Sequence, residues 1–471
     1  MIARDFRASK TFTTFVVCIS IFTDILLQNL IVPVLPYALS ERVGLTREDE
    51  VQRWNSILLA AYSASLMVGS LFFGWIGDRL PGRRTPFILG VAVLGASTVC
   101  FALARTLPAL LIARILEGLS TAIVCTLGYA LLNDAVGVEH IGKAMGYTSV
   151  ALSLGLFTGP VIGGVLYEYG GYFQVFLPAF CLIVVELILR VTIIEPEKRS
   201  RGPDPSQKAL GIDAPPDFGT DERLQQGSVT DEQQPLLPVT GHETNRHAFS
   251  ILLCSPRFLV AVLSLFVLNN IGCSFDGVLA PYINDAFGLS AIHAAALFLA
   301  IALPMFLAPI SGALTDQFGA KWPAAGGFLI AVASLFLLRL VVRGTNSPFM
   351  KLAILLFFVG VALAFAMPPL RAEVSKVVEA IERQNPGIFG PHGANSQAYG
   401  LMNFAIAAGG LIGPLYAGFV RVWLGWGAIF LSMGVLSLIM LVFVLSLSGE
   451  STSHSSRIAP ELSEARADGA P

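Results

Sequence analysis

The stretch FTDILLQNLIVPVLPY, Phe22 to Tyr37, carries Asp24 inside an apolar run, with Gln28 one helical turn further on and Asn29 beside it. An i, i+4 spacing places Asp24 and Gln28 on one face of a helix. A carboxyl on such a face can take up and release a proton, or pair with an organic cation. A second constellation lies in ARILEGLSTAIV, where Arg114 and Glu117 stand three apart and can meet on one face. A third is NNIGCSFDGVLAPYIND, with Asn269, Asn270 and the further acid Asp276. Glu186 and Arg190, four apart, read as a structural pair, and Arg371 with Glu373 looks similar. An ionisable group at mid-membrane costs on the order of 2.5–3.5 kcal/mol on insertion scales, so it faces a cavity or a partner. Hydrolytic chemistry has no comparable support. His140, His242, His247, His293, His392 and His454 fall in loops, tails or span edges, and no Gly-x-Ser-x-Gly, His-Glu-x-x-His or P-loop occurs. An enzyme and an ATP-driven pump are therefore not expected.

The elements that must position these residues follow from composition. Of 471 residues, 54% are hydrophobic and 13% are charged, with a formal net charge of −2. A soluble domain carries about 25% charged residues, so lipid is the expected solvent for much of this surface. A membrane helix needs about 20 mostly apolar residues. Twelve such spans are expected, at about 12–39, 56–76, 87–105, 108–132, 143–168 and 172–194, then 258–283, 291–314, 323–342, 350–370, 397–420 and 426–447. All should be helices, because open strand edges cannot sit in lipid. This divides the chain into a first six-helix half (1–194), a polar linker rich in Pro and Gly (195–250), a second half (251–448) and a tail (449–471). The linker and tail have the composition of disordered cytosolic segments. Short-loop bases such as Arg7, Lys10, Arg79, Arg83, Lys143, Lys321 and Lys376 place both termini in the cytosol. The six cysteines form no CxxC pair and read as small packing residues.

The two halves repeat each other. GWIGDRLPGRRTP follows span two and GALTDQFGAKWP follows span eight, with Gly74 four before Asp78 and Gly312 four before Asp316. GLFTGPVIGG (155–164) in span five matches GGLIGPLYAG (409–418) in span eleven. Matching motifs in two halves mark a transporter built from internal repeats, whose substrate site lies near the midplane between halves that rock against each other. The chain outside the linker and tails resembles the major facilitator superfamily, in its twelve-span drug:proton antiporter type. GWIGDRLPGRR resembles that superfamily's loop motif between helices two and three. The resemblance implies a charge latch between the halves, formed here by Gly74, Asp78, Arg79, Arg83 and Arg84 and echoed by Asp316. The extra residue Pro81 departs from the motif and leaves open which arginine serves as the second member. GLFTGPVIGG resembles the helix-five motif of proton-coupled drug antiporters. Its Gly155, Gly159, Pro160, Gly163 and Gly164 are expected to make a bendable helix packed across the seam between the halves.

DILLQNLIVPVLP resembles helix one of the vesicular amine transporters, with Asp24 at the same distance from the Pro33–Pro36 end. ARILEGLSTAIV resembles the antiporters' helix-four motif, whose arginine is implicated in proton transfer; Glu117 stands where that motif has Gln. Family members often carry an acid in the part of helix seven where Asp276 falls. The implied function is proton-coupled export of amphipathic or cationic small molecules by alternating access. Asp24, Gln28, Arg114, Glu117, Asn270 and Asp276 would be the proton- and substrate-binding residues, and Asp24 would face a wet cavity shared by the two halves. Asn269, Asn270, Asn403 and Phe404 would line its second-half wall. The alternative is an organellar or nutrient transporter working by uptake or facilitated diffusion. No cofactor or metal is expected beyond a proton gradient as energy source. The partners would be a small-molecule substrate, protons and the bilayer, with no nucleic acid and a monomeric state. The plasma membrane is the expected location, with a vacuolar or endosomal membrane as the alternative, since EQQPLL (Glu232–Leu237) fits an acidic dileucine sorting signal.

Overall fold

The computed structural model describes residues 9–80, 82–192, 248–287, 291–340, 348–390 and 393–446. The linker, the tail, Pro81 and the EQQPLL stretch lie outside the described residues. Twelve helices in the described set are long and apolar enough to cross a membrane, and no strand occurs among the described residues. The first six are α1 (Lys10–Ile31), α2 (Glu48–Gly77), α3 (Arg84–Leu103), α4 (Leu107–Val136), α5 (Ile141–Gly170) and α6 (Phe176–Thr192). The second six are α7 (Pro256–Phe287), α8, α9 (Lys321–Leu338), α10 (Pro348–Gln384), α11 (Asn395–Leu424) and α12 (Trp426–Leu445). Helix α8 is broken: Ala291–Ala302 passes through a 3-10 segment, Leu303–Leu307, into Ala308–Phe318. Pro304 and Pro309 sit at the starts of the last two pieces, where a missing N–H costs least.

Local chemistry sets the ends. Helix α1 stops at Ile31, earlier than the apolar run, because Pro33 supplies no amide and a turn takes over. Helix α10 instead runs to Gln384, well past the expected end near 370 and through Pro368 and Pro369. Its extension is held by polar partners: Arg371 reaches Ser149 on α5 at 3.1 Å, Glu373 pairs with Arg257, and Lys376 donates to the Thr315 carbonyl at 3.3 Å. The repeat shows in the stops as well. Gly171 after α5 and Gly425 after α11 both take positive φ, 73° and 81°, a conformation that glycine adopts without a Cβ penalty.

The two sets of six pack into one compact unit. The contacts joining them gather toward the end of the molecule where α2 and α8 finish and α5 and α11 begin, called here the latch face. A Cβ added to Gly74 would lie 2.8 Å from the Ser396 carbonyl oxygen, and one on Gly146 would lie 2.5 Å from Pro309 Cα. Tyr129 on α4 meets Tyr399 on α11 with ring centroids 5.7 Å apart, and Asn403 on α11 donates to Thr126 on α4 at 3.2 Å.

The span-five glycines do something other than the expectation. Cβ atoms on Gly155, Gly159 and Gly163 would come within 2.8 Å of Phe22 O, 2.7 Å of Asn29 Cβ and 2.0 Å of Leu30 O. All three partners are on α1, so this stripe fuses two helices of the same half. Pro160 lies inside α5, and Gly164 faces open space. The seam between the halves uses Gly142 and Gly146, in the first and second turns of α5. Gly163→Ala is expected to lower the melting temperature of the purified protein in detergent, because overpacking costs about 1–3 kcal/mol. Gly164→Ala is expected to leave it unchanged or slightly higher.

Candidate functional site

A cluster of charged and hydroxyl side chains fills the interior of the first half. Helix periodicity assembles it: Ser20, Asp24 and Gln28 are stacked on α1, Arg114, Glu117 and Thr121 on α4, and Glu186 and Arg190 on α6. Arg114 and Glu117 are paired at 2.8 Å and both are buried, with the guanidinium 5.1 Å from the Phe101 ring centroid. The spacing on α4 foretells that pair. Arg190 pairs with Glu186, donates to Ser20 Oγ at 3.2 Å and to the Phe87 carbonyl, and lies 3.9 Å over the Phe87 ring. Each glutamate thus has its own arginine.

Asp24 is the third carboxyl of this cluster and is fully buried. The Ser120 hydroxyl lies 3.2 Å from its Oδ1 and 3.0 Å from the Gly90 carbonyl. A hydroxyl has one proton and two acceptor sites, so Ser120 serves one of those oxygens at a time. Oδ2 accepts no hydrogen bond among the described residues, although the Thr121 hydroxyl is close by. Glu186, Arg190 and Glu117 are the charges that act on Asp24 most. Gln28 Oε1 lies 2.8 Å from the Tyr62 hydroxyl, which is itself 3.1 Å from Thr121 Oγ1.

This placement corrects the expectation that Asp24 lines a cavity shared by the halves. Its hydrogen-bond partner Ser120 and the charges that act on it, Glu186, Arg190 and Glu117, all belong to the first half. The reason lies in the glycine stripe of α5, which claims the face of α1 that carries Phe22, Leu26 and Asn29. Asp24 stands two residues from both Phe22 and Leu26, hence on the far side of the helix, and is turned toward α4 and α6. The second-half candidates are only partly brought together. Asn269 on α7 donates to the Ile406 carbonyl on α11 at 2.7 Å. Asn270 is buried, its carbonyl accepting from Ser274 at 2.6 Å. Asn403 crosses to the first half through Thr126, and Phe404 is half-buried. Asp276 belongs to α7, but its side chain lies outside the described residues.

The residues expected to form a latch make a pair of helix caps related by the internal repeat. Asp78, just past α2, accepts from the Ser396 and Gln397 amides of α11, both at 2.8 Å. Asp316, at the end of α8, accepts from the Gly142 and Lys143 amides of α5 at 2.8 and 2.9 Å. These are the second and third residues of each helix, where unpaired N–H groups and the positive end of the helix dipole favour an anion. Arg83 is the arginine that completes the first latch: it lies 3.6 Å from Asp78 and 2.7 Å from Asp134, and it donates to Ser396 Oγ. Arg79 stacks over Trp75 at 3.8 Å, and Arg84 donates to the Val191 carbonyl of its own half. Burial pushes the Asp78 carboxyl up from its ordinary value, opposed by Arg83 and by the two amides. Sequence reasoning missed the acceptor ends of both latches. The signal was present as a further repeat, since Gly142-Lys143-Ala144-Met145-Gly146 parallels Ser396-Gln397-Ala398-Tyr399-Gly400. Among the described residues no cluster of His, Cys, Asp and Glu could hold a metal ion.

Comparison with known proteins agrees with this architecture. The family model described as Major Facilitator Superfamily matches residues 17–385 and 277–466. The MFS-type transporter ppzB of Metarhizium rileyi is 29% identical over 465 residues, covering 93% of this chain and 95% of that protein. A probable vesicular acetylcholine transporter-A of Danio rerio is 27% identical over 196 residues, 38% of each chain. The crystal structure of the human organic anion transporter MFSD10 (TETRAN) superposes with a TM-score of 0.66 at 20% identity, covering 92% of this chain and 99% of that one.

The cluster's pairing separates two roles by stability. Glu117→Gln leaves Arg114 buried without its counter-ion and is expected to cost about 3–5 kcal/mol. Asp24→Asn removes no ion pair and is expected to cost about 1 kcal/mol or less. Thermal melting of both variants in detergent checks the order.

Proposed function

The chain belongs to the Major Facilitator Superfamily, a family of membrane transporters and not of enzymes, and we propose that this member exchanges protons for amphipathic, cationic small molecules. The observation that carries the proposal is the charge count in the first-half interior. Three carboxyls, Asp24, Glu117 and Glu186, share that space with two guanidiniums, Arg114 and Arg190, and all five are buried. A buried charge without a partner is costly, and in practice the group takes a proton or finds a counter-ion. Two glutamates have theirs. Asp24 is the carboxyl left to take either a proton or a cationic substrate, and occupancy by one opposes the other.

The Ser120 hydroxyl suits both states. It can donate to the Asp24 carboxylate, or turn its proton to the Gly90 carbonyl and accept from a protonated Asp24. Gln28, held by Tyr62, supplies a polar neighbour one turn along α1. In the conformation described here Asp24 is sealed and the latch face is closed, so exchange requires the halves to rock and the two caps to release. The vesicular acetylcholine relative named above supports a cationic cargo. Efflux across the plasma membrane by a monomer with cytosolic termini, with halves at 1–194 and 251–448 joined by the 195–250 linker, completes the reading. EQQPLL in that linker supports a vacuolar or endosomal membrane as the alternative location.

Proteoliposomes with an imposed pH gradient test the exchange. Lipophilic cations are expected to accumulate with the gradient, and collapsing it is expected to abolish accumulation. Asp24→Asn is expected to remove gradient-driven uptake by an order of magnitude or more while the protein stays folded. Uptake indifferent to the gradient in the wild type would replace the exchanger with a facilitator.

A further inference from the structure

A groove of about 710 Å³ runs along the outer side of the first half between α1 and α5, and it uses none of the charged cluster described above. Its walls are apolar: Phe15, Ile19 and Phe22 on α1 face Tyr147, Val150 and Leu154 on α5. Phe15 is 53% exposed and Tyr147 43%. Its mouth at the latch face is basic. Lys10 opens α1, His140 precedes α5, and Lys143 is the third residue of α5; all three line the groove and are exposed. The Lys10 ammonium lies 3.3 Å from the Val136 carbonyl, which fixes it at the rim. Among the described residues the acids nearby are Glu139, exposed beside His140, and Asp316, whose carboxyl is already engaged by the α5 amides.

The two ends of the groove call for one kind of ligand. The α1 and α5 starts are ends of helices long and apolar enough to cross a membrane, where headgroups are expected. Basic pockets between membrane helices attract anionic headgroups there, while an apolar trough running inward suits a hydrocarbon chain. We infer that the groove between α1 and α5 binds an anionic phospholipid, its phosphate held by Lys10, His140 and Lys143 and one acyl chain lying against Phe15, Ile19 and Tyr147. The site also touches the latch. Lys143 contributes both the side chain at the mouth and the backbone amide that Asp316 accepts. A lipid phosphate bound there orders the start of α5 and so favours the closed latch face.

Native mass spectrometry of the full chain, delipidated in detergent and offered phosphatidylglycerol or phosphatidylcholine of equal chain length, tests the site. Phosphatidylglycerol is expected to be retained in preference, and the preference is expected to fall roughly fivefold for each of Lys10→Gln and Lys143→Gln. Lys321→Gln, a base on the same face outside the groove, is the control and is expected to change nothing. Leu154→Trp, which fills the trough, is expected to reduce retention of both lipids. Equal retention of the two lipids, or a preference untouched by both lysine variants, overturns the proposal. Inorganic phosphate that matches phosphatidylglycerol in raising the melting temperature also overturns it, since the trough would then have no part. Folding of each variant is verified by its elution volume, and either lysine variant alone suffices if the other misfolds.

Discussion

The organisation of this protein depends on an imbalance of charge in a place sealed from solvent. Arg114 and Arg190 each hold a glutamate, and Asp24 is left beside them with one hydroxyl that it shares with a backbone carbonyl. Removing charged groups from water costs several kcal/mol per ion even after relaxation. The two glutamate–arginine pairs compensate four of the five charges in this conformation. That leaves a single group whose occupancy can change without breaking a pair. The rest of the first half positions that group. The glycine stripe of α5 sets the rotation of α1, and the rotation of α1 decides that Asp24 looks toward α4 and α6.

The closed face is held by contacts of a different kind. Each latch carboxylate accepts two amides at a helix start, an interaction worth about 0.3–1 kcal/mol when exposed and up to about 2 when partly buried. Gly74, Gly142, Gly146, Gly312 and Gly400 bring the backbones of the two halves close enough for those caps to form. Close packing of small residues together with the carboxylate caps makes up the seam on this face. Inside each half the arrangement differs. A Cβ on Gly163 would overlap the α1 backbone and one on Gly413 would lie 2.6 Å from the Asn270 carbonyl, so α5 is packed tightly onto α1 and α11 onto α7.

Much of this was legible in the residues. The twelve spans, the two-fold repeat, the Arg114–Glu117 pair and the latch acids follow from apolar length, motif offset and helical spacing. The parts that were not legible are those that depend on which way a helix is turned. Asp24 and Gln28 announce a polar face of α1, but only the α5 glycines determine what that face meets, and those glycines are 130 residues distant in sequence. Glu186 and Arg190 read as a local structural pair because i, i+4 spacing accounts for them fully; their nearness to Asp24 is a tertiary fact. The extension of α10 past Arg371 was hidden because its polar residues look like a loop until Ser149, Arg257 and Thr315 are found opposite them. The acceptor ends of the latch were hidden for a related reason. Backbone amides have no letter in the sequence, and only the parallel between Gly142–Gly146 and Ser396–Gly400 betrays them.

Counting protons on ligand binding tests the central claim most directly. A lipophilic cation would be titrated into the purified protein in weakly buffered detergent solution with a pH indicator present, and proton release compared with cation bound. The account predicts release of about one proton per cation in the wild type, with none in Asp24→Asn. Saturable cation binding to the wild type with no proton released would contradict it, as would equal release from the Asp24→Asn protein.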